Sequence, residues 1–261
     1  MSAQGKISLS NVERQQTLVR LLERQGRLFV TEVCAQYSIS EATVRRDLEA
    51  LAEQGLLQRV HGGAIPLRRA EPEMPILDRR QEQAEEKQRI GLAAAELVGD
   101  GDTVFLGSGS TVLEVARNLR SRSNLTIITN SLPVINTLAG LPEITVIVLG
   151  GMLRVSELSF IGHITEQALA EVRADKVIIG VRALNLEQGL TNDYMPETLT
   201  DRAIVSVGRE VILTADHTKF GAVAPAFLIP LKSIQTLVTD DRTGGEFLTA
   251  LREQGIRVIV A

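Results

Sequence analysis

The sequence predicts an α/β protein in two parts, a small helical unit followed by a larger one built on a largely parallel sheet. Three observations support this. A length of 261 residues exceeds what one small domain needs. The first 55 residues or so divide into short amphipathic helices. Beyond residue 88, apolar runs of strand length alternate with helical segments. Hydrophobic residues make up 44% of the chain, ample for a real core. The net charge of −4 is unevenly spread. Residues 1–69 carry 10 Lys and Arg against 7 Asp and Glu, and the remainder 18 against 25. The first part therefore suits a polyanion.

The elements follow in order. VERQQTLVRLLERQ (12–25) places Val12, Leu18, Leu21 and Leu22 near one helical face, and Gly26 stops the helix. The β-prone RLFV leads to TEVCAQYSIS, where Thr31 is expected to cap a second, shorter helix burying Val33, Cys34 and Tyr37 before a tight turn at Ser38 and Ile39. Ser40 caps a third helix to about Gln54, with Val44, Leu48 and Leu51 facing inward and Gly55 ending it. Two short helices joined by a tight turn form a helix-turn-helix. LLQRVHGGAIPL then alternates like a strand and turns at Gly62 and Gly63, which gives a wing. The domain boundaries expected are 1–67 for the winged helix-turn-helix, 68–88 for a Pro-containing, highly charged connector, and 89–261 for the α/β domain. Its strands are TVFLG, LTIITN, ITVIVLG, KVIIG, EVILTA, IQTLVTD and IRVIVA.

At 100° per residue from Val44, Arg46 lies at about 200° and Ala42 at about 160°, opposite the apolar stripe. Arg45 and Thr43 flank that outer face. Ser40, Thr43, Arg45 and Arg46 thus present hydroxyls and two guanidinium groups at a helix N-terminus, where major-groove reading and phosphate contacts are made. Arg59 and His61 on the wing are placed for an adjacent phosphate or groove edge. The partner that fits is double-stranded DNA. Arg46 paired with Glu49, and Arg45 with another surface carboxylate, is the structural alternative.

TVRRDLEALAEQGLLQRVHGGA resembles the signature of the DeoR family of bacterial transcriptional repressors. The resemblance continues through KQRIGLAAAELVGDGDTVFL, TIITNS, VLGG and TADHTKFG and spans nearly the whole chain. It implies a homo-oligomeric repressor answering to a sugar phosphate, with a C-terminal sensor domain related to ribose-5-phosphate isomerase and the CoA transferases.

In FLGSGSTVLEVARNL a strand ends at Gly107 and a helix starts near Ser110. Gly107 and Gly109 let backbone approach an anion, and Ser108, Ser110 and Thr111 add hydroxyls beside the free N–H groups of the helix start. A phosphate can be held there without a metal; a capped turn is the structural alternative. The family usually has an aspartate where Gly107 stands. Thr129, Asn130 and Ser131, and Gly150 and Gly151, mark two further strand ends, where ligands collect in open α/β sheets. By the resemblance Lys219 faces the effector.

The rival reading is a sugar-phosphate isomerase. Its relatives carry an Asp-Gly-Ala-Asp-Glu run after a strand, whereas VRALNLEQG follows KVIIG here, and Arg182 and Asn185 cannot act as bases at neutral pH. Neither catalysis nor a cofactor is expected. The three histidines and one cysteine form no ligand cluster, so no metal is expected either. No apolar run reaches the roughly 20 residues of a membrane helix, and MSAQGKISLSNVERQQ lacks the apolar segment of a secretory signal, so the cytoplasm is the expected location.

Overall fold

The computed structural model describes residues 10–71 and 73–261, so most of the N-terminal stretch inspected for a secretory signal lies outside the described residues. The chain divides into two compact units, residues 1–69 and 70–261. Among the described residues no helix is long and apolar enough to cross a membrane.

The first unit runs α1 (Asn11–Gln25), β1 (Leu28–Phe29), α2 (Val30–Tyr37), α3 (Glu41–Glu53), β2 (Leu57–Val60) and β3 (Gly63–Pro66). Ser10 and Glu13 close a capping box at the start of α1. Leu18 and Leu22 of α1 pack with Val33, Val44, Leu48, Leu51 and Leu57 in one core. Val12, expected on the same face, is exposed. The first turn of α1 is held by its cap and by Arg14 instead of by apolar packing. Helix α2 starts at Val30 with Phe29 in the cap position, so Thr31 is inside the helix and caps nothing. Its entry is set by the Val30 N–H, which donates to the Gly62 carbonyl at 2.8 Å. Ser40 does cap α3, its hydroxyl accepting from the Thr43 N–H at 3.2 Å.

Strands β2 and β3 form the wing, and β1 pairs antiparallel with β3, Phe29 opposite Gly63. The two glycines of the expected turn divide the work. Gly62 turns, while Gly63 lies within β3, where an added Cβ would fall 1.8 Å from the Leu28 carbonyl oxygen. Only glycine lets β1 approach.

Helix α3 also carries a charge into the core. Asp47 is 3% exposed. Its carboxylate takes the Arg14 guanidinium in a two-point contact, Nη2 to Oδ1 at 2.9 Å and Nε to Oδ2. This pair ties α1 to the opening turns of α3.

The second unit contains α4 (Ile76–Arg79), α5 (Ala84–Ala95), β4 (Thr103–Leu106), α6 (Ser110–Leu119), β5 (Leu125–Thr129), α7 (Leu132–Leu138), β6 (Ile144–Val148), β7 (Met152–Arg154), β8 (Ser159–Ile161), α8 (His163–Ala170), β9 (Ala174–Ile179), β10 (Ala183–Asn185), β11 (Gly189–Asn192), α9 (Met195–Ser206), β12 (Gly208–Thr214), β13 (Ala226–Ile229), β14 (Thr236–Thr239), α10 (Gly245–Glu253) and β15 (Arg257–Val260). All seven expected strands join one sheet in the order β15-β14-β12-β9-β4-β5-β6, every pair parallel. Alternate residues serve opposite faces. Val104, Leu106, Ile127, Ile178 and Ile212 pack against Ile90, Val112 and Val134 of α5, α6 and α7. Phe105, Ile128, Val177, Ile179 and Leu213 join Leu169, Ile204 and Leu251 of α8, α9 and α10. The chain winds from β4 through β5 to β6 and then crosses to β9 on the other side of β4. The loops after β4 and β9 therefore part company, which opens a crevice at their carboxyl ends.

The first half of the segment 68–88, expected as an exposed connector, is tied into the second unit, while the second half, expected as a polar helix entry, does lead into a helix. Ile76, Arg79 and Lys87 are buried within the second unit, and α5 begins at Ala84. Its charges find partners far away in sequence, which composition cannot reveal.

Replacing Asp47 with Ala strands the Arg14 guanidinium beside the core and is expected to cost about 3 kcal/mol in the first unit. Equilibrium urea unfolding checks this, with Arg14→Met/Asp47→Leu expected to recover most of the loss.

Candidate nucleic-acid interface and ligand cavity

The residues singled out for DNA cluster as expected on α3 and the wing, with different freedom. Arg45 and Arg46 are exposed. Arg45 pairs with Glu41 one turn back at 3.3 Å, with side chains 52% and 58% exposed, a contact worth little in water. Arg46 has no ion pair among the described residues, so the pairing with Glu49 does not form. The Ser40 and Thr43 hydroxyls lie 2.9 Å apart within the cap. His61 stands exposed at the wing turn, whereas Arg59 is half-buried with an Nε that has no partner.

In the second unit the crevice between β4 and β9 is a polar cavity. Ser108, Gly109, Ser110 and Thr111 form one wall, and Lys219 reaches in from the turn after β12. Gly109, at φ 118°, occupies the cap position of α6 without a side-chain cap. The Leu113 N–H is the first to find a partner, the Gly109 carbonyl at 3.0 Å. The N–H groups of the opening turn thus have no hydrogen-bond partner among the described residues.

Other expected residues lie elsewhere. Gly107 does not line the cavity: its N–H extends the β4–β9 pairing to the Ile178 carbonyl at 3.0 Å, and an added Cβ would come within 3.2 Å of the Ile179 side chain. Thr129 donates to the Leu106 carbonyl at 2.7 Å and accepts from the Ser131 N–H at 3.0 Å. Asn130 donates to the Phe160 carbonyl at 2.9 Å, and the Gly150 carbonyl, next to Gly151, accepts from Thr165 at 2.9 Å. These residues brace the β7–β8 hairpin and α8. Strand order decides the matter: the ends of β5 and β6 lie one and two strands to the side of the crevice.

The walls of the cavity, and the residues paired with them from behind, carry charges that periodicity and motifs do not reveal. Arg79 donates to Glu73 at 2.6 Å and to Glu157, and its own Nε is buried without a partner. Arg154 pairs with Glu197, which also accepts from the Ser159 hydroxyl at 3.0 Å. Asp201 accepts from Asn192 at 2.8 Å, and Arg182 pairs with Asp193 at 3.0 Å. Glu73 and Arg79 sit in the charge run taken for a solvated connector. The signal present there was Ile76, an apolar residue between prolines and charges.

Comparison with known proteins completes this picture. Residues 14–69 match the DeoR-like helix-turn-helix domain, and residues 82–241 match the DeoR C terminal sensor domain. The chain is 35% identical to the glycerol-3-phosphate regulon repressor of Escherichia coli K12 over 89% of its length and 92% of that protein's. The chain belongs to the DeoR family of transcriptional regulators. It is also 30% identical to the HTH-type transcriptional regulator GolR of Listeria innocua, over 95% of this chain and 98% of that one. With ribose 5-phosphate isomerase A of Methanocaldococcus jannaschii it shares 20% identity and a TM-score of 0.40, covering 53% of this chain and 55% of the other.

The electrostatics of this DeoR-family sensor unit follow from burial. Glu157 is pushed up to about 7, first by desolvation and then by the neighbouring Glu73 charge, with Arg79 and Arg154 opposing. The carboxyl of Asp201 is enclosed although the residue is only half-buried, and desolvation together with Glu157 raises it to about 7. The two titrate as a linked pair. Lys87, whose ammonium donates to the Arg79 carbonyl at 2.6 Å, is lowered to about 8 by burial. Burial also lowers Lys219, with Asp216 opposing, and the Lys219 ammonium has no ion pair among the described residues.

Raised carboxyl values mean that the folded state binds more protons than the unfolded chain between about pH 4.5 and 7. Stability from this pair is full below that window and is lost as the pH rises through it. Each group contributes a slope of up to about 1.4 kcal/mol per pH unit. Thermal melts from pH 5 to 8 check this: Glu157→Gln is expected to flatten the pH dependence of the sensor-unit transition.

Proposed function

We propose that this DeoR-family regulator represses a carbohydrate-catabolic operon and that a phosphorylated sugar metabolite in the β4–β9 cavity tunes its hold on the operator. The observation that carries the reading is the uncapped N-terminus of α6 opening into a cavity that also receives Arg79, Arg182 and Lys219. Backbone N–H groups, two guanidinium groups and an ammonium are the donors that a phosphate needs. The hydroxyls of Ser108, Ser110 and Thr111 complete the anion side, and Asn192 and Asp201 offer hydrogen-bonding partners for sugar hydroxyls. The names of relatives agree, since one represses a glycerol-3-phosphate regulon.

The ligand is bound and not turned over. The isomerase run of carboxylates is missing after β9, and Glu157 and Glu197 are engaged by Arg79 and Arg154, which supports binding over turnover. In this reading α3 enters the major groove of double-stranded operator DNA. Thr43, Arg45 and Arg46 face the bases and phosphates, Ser40 fixes the helix start, and Arg59 and His61 follow the flanking backbone. Two copies of the chain in a homo-oligomer in the cytoplasm present two such helices to successive major grooves.

Arg46→Ala is expected to weaken operator binding by roughly 1–3 kcal/mol and to relax sequence preference at one position, measured by titration against operator variants. Unchanged affinity in a folded Arg45→Ala/Arg46→Ala protein defeats the α3 assignment.

Thr111→Glu puts a carboxylate where the phosphate is to sit. A thermal-shift panel of phosphorylated sugars, followed by operator titration with and without the best ligand, is expected to show a mutant that still binds operator but no longer responds. A folded mutant responding at wild-type ligand concentrations reduces the loop to a turn.

A further inference from the structure

Residues 70–76, which lead into α4, are fastened to the rest of the sensor unit at four positions, Ala70, Glu71, Glu73 and Ile76. The Ala70 N–H donates to the Val223 carbonyl at 2.9 Å, and the Glu71 carbonyl accepts from Arg182. The Glu73 carboxylate accepts from Arg79 Nη1 at 2.6 Å and lies 3.6 Å from Arg154 Nη2. The Ile76 N–H donates to the Ser156 carbonyl at 2.8 Å. Glu73 is itself a wall of the cavity, with its side chain only 13% exposed. Two of the three cationic side chains lining the cavity, Arg79 and Arg182, therefore hold this strap.

We propose that Glu73 is a built-in competitor of the anionic ligand. Its carboxylate occupies the Arg79 guanidinium, and a bound anion takes its place, which frees the 70–76 strap at the start of the sensor unit. The proposal rests on the anion-binding reading above and adds the means by which occupancy is transmitted.

The geometry explains why Glu73 is the group that yields. Arg79 has one Nη on Glu73 and the other on Glu157, and its Nε is buried with no partner, so the guanidinium is not fully satisfied in this arrangement. Glu157 is 4% exposed and stands between the paired strands β7 and β8. Glu73 and the described residues beside it, Ala70, Glu71, Met74 and Pro75, belong to neither helix nor strand, so Glu73 leaves for the loss of a few hydrogen bonds. An anion arriving beside Arg79 repels both carboxylates and removes the one more loosely held. Released and fastened straps are then two states of one chain, and the ligand favours the released one by its differential affinity.

Two measurements on the full-length protein test this, with glycerol 3-phosphate and inorganic phosphate as probes. By titration calorimetry, Glu73→Gln is expected to bind the probes about tenfold more tightly than the wild type, because the internal anion is gone. By hydrogen exchange on the wild type, the amides of residues 70–76 are expected to exchange faster with probe than without it. Equal or weaker binding by a folded Glu73→Gln protein, or exchange at 70–76 that is unchanged or slowed by a bound probe, overturns the competitor role and leaves the anion site standing. If neither protein binds either probe, the anion site itself fails and the proposal falls with it. The exchange measurement needs no substitution, so it decides the matter even where the variant does not fold.

Discussion

In a parallel sheet each strand hands the chain to a crossover at its carboxyl end, and neighbouring strands whose crossovers run in opposite directions cannot share the space above them. Strand β4 is where this happens here. Its chain goes on to β5 and β6 on one side, while β9, which pairs with its other edge, continues to β12, β14 and β15. The cavity, the uncapped N-terminus of α6 that lines it and the convergence of Ser108–Thr111 with Gly180–Arg182 all follow from that reversal. Gly107 allows it at close quarters by extending the β4–β9 pairing with no side chain to press on Ile179.

A cavity walled by charge has little to contribute to stability. Burying a guanidinium between two carboxylates costs desolvation that the attraction offsets only in part, and an apolar replacement of the same shape is often as stable. What the network does is position. Arg79 is held from three directions, by Glu73, by Glu157 and, through its carbonyl, by the Lys87 ammonium. In the exchange proposed above, a guanidinium fixed in this way stays in place, and the reorganisation falls on Glu73 and its strap. Burial first, and then the neighbouring carboxylates, raise Glu157 and Asp201 to about 7 against the pull of Arg154, so the cavity carries less negative charge than its count of carboxyl groups implies.

The DNA-binding unit solves a different problem with the same kind of pair. A three-helix unit of this size has a small core, and α3 must keep its outer face free of internal contacts. Asp47, on the buried side of α3, is gripped by Arg14 of α1, so the outward Arg46 rides on a helix fixed by a charge-assisted contact as well as by Val44, Leu48 and Leu51. Inward Asp47 is paired, whereas outward Arg46 has no ion pair among the described residues. The contrast between Asp47 and Arg46, adjacent in sequence, shows how one helix serves both ends.

Much of this was legible in the sequence, because much of it is local. Helical periodicity placed Val44, Leu48 and Leu51 inward and Arg45 and Arg46 outward, Ser40 announced its cap, and seven apolar runs announced seven strands. The Ser108–Thr111 loop was visible as a strand end followed by a helix start, and the structure leaves that start without a side-chain cap. Thr129–Ser131 and Gly150–Gly151 look equally promising by the same local rule, yet they brace a hairpin and a helix, because strand order sets them to one side of the crevice. Glu73, Arg79, Glu157 and Asp201 meet although they come from an apparent connector, a hairpin and a helix. Turn chemistry and periodicity act over a few residues and can be read from the chain alone. Which strand ends adjoin, and which buried charges find one another, is settled only when long-range parallel pairing closes the sheet.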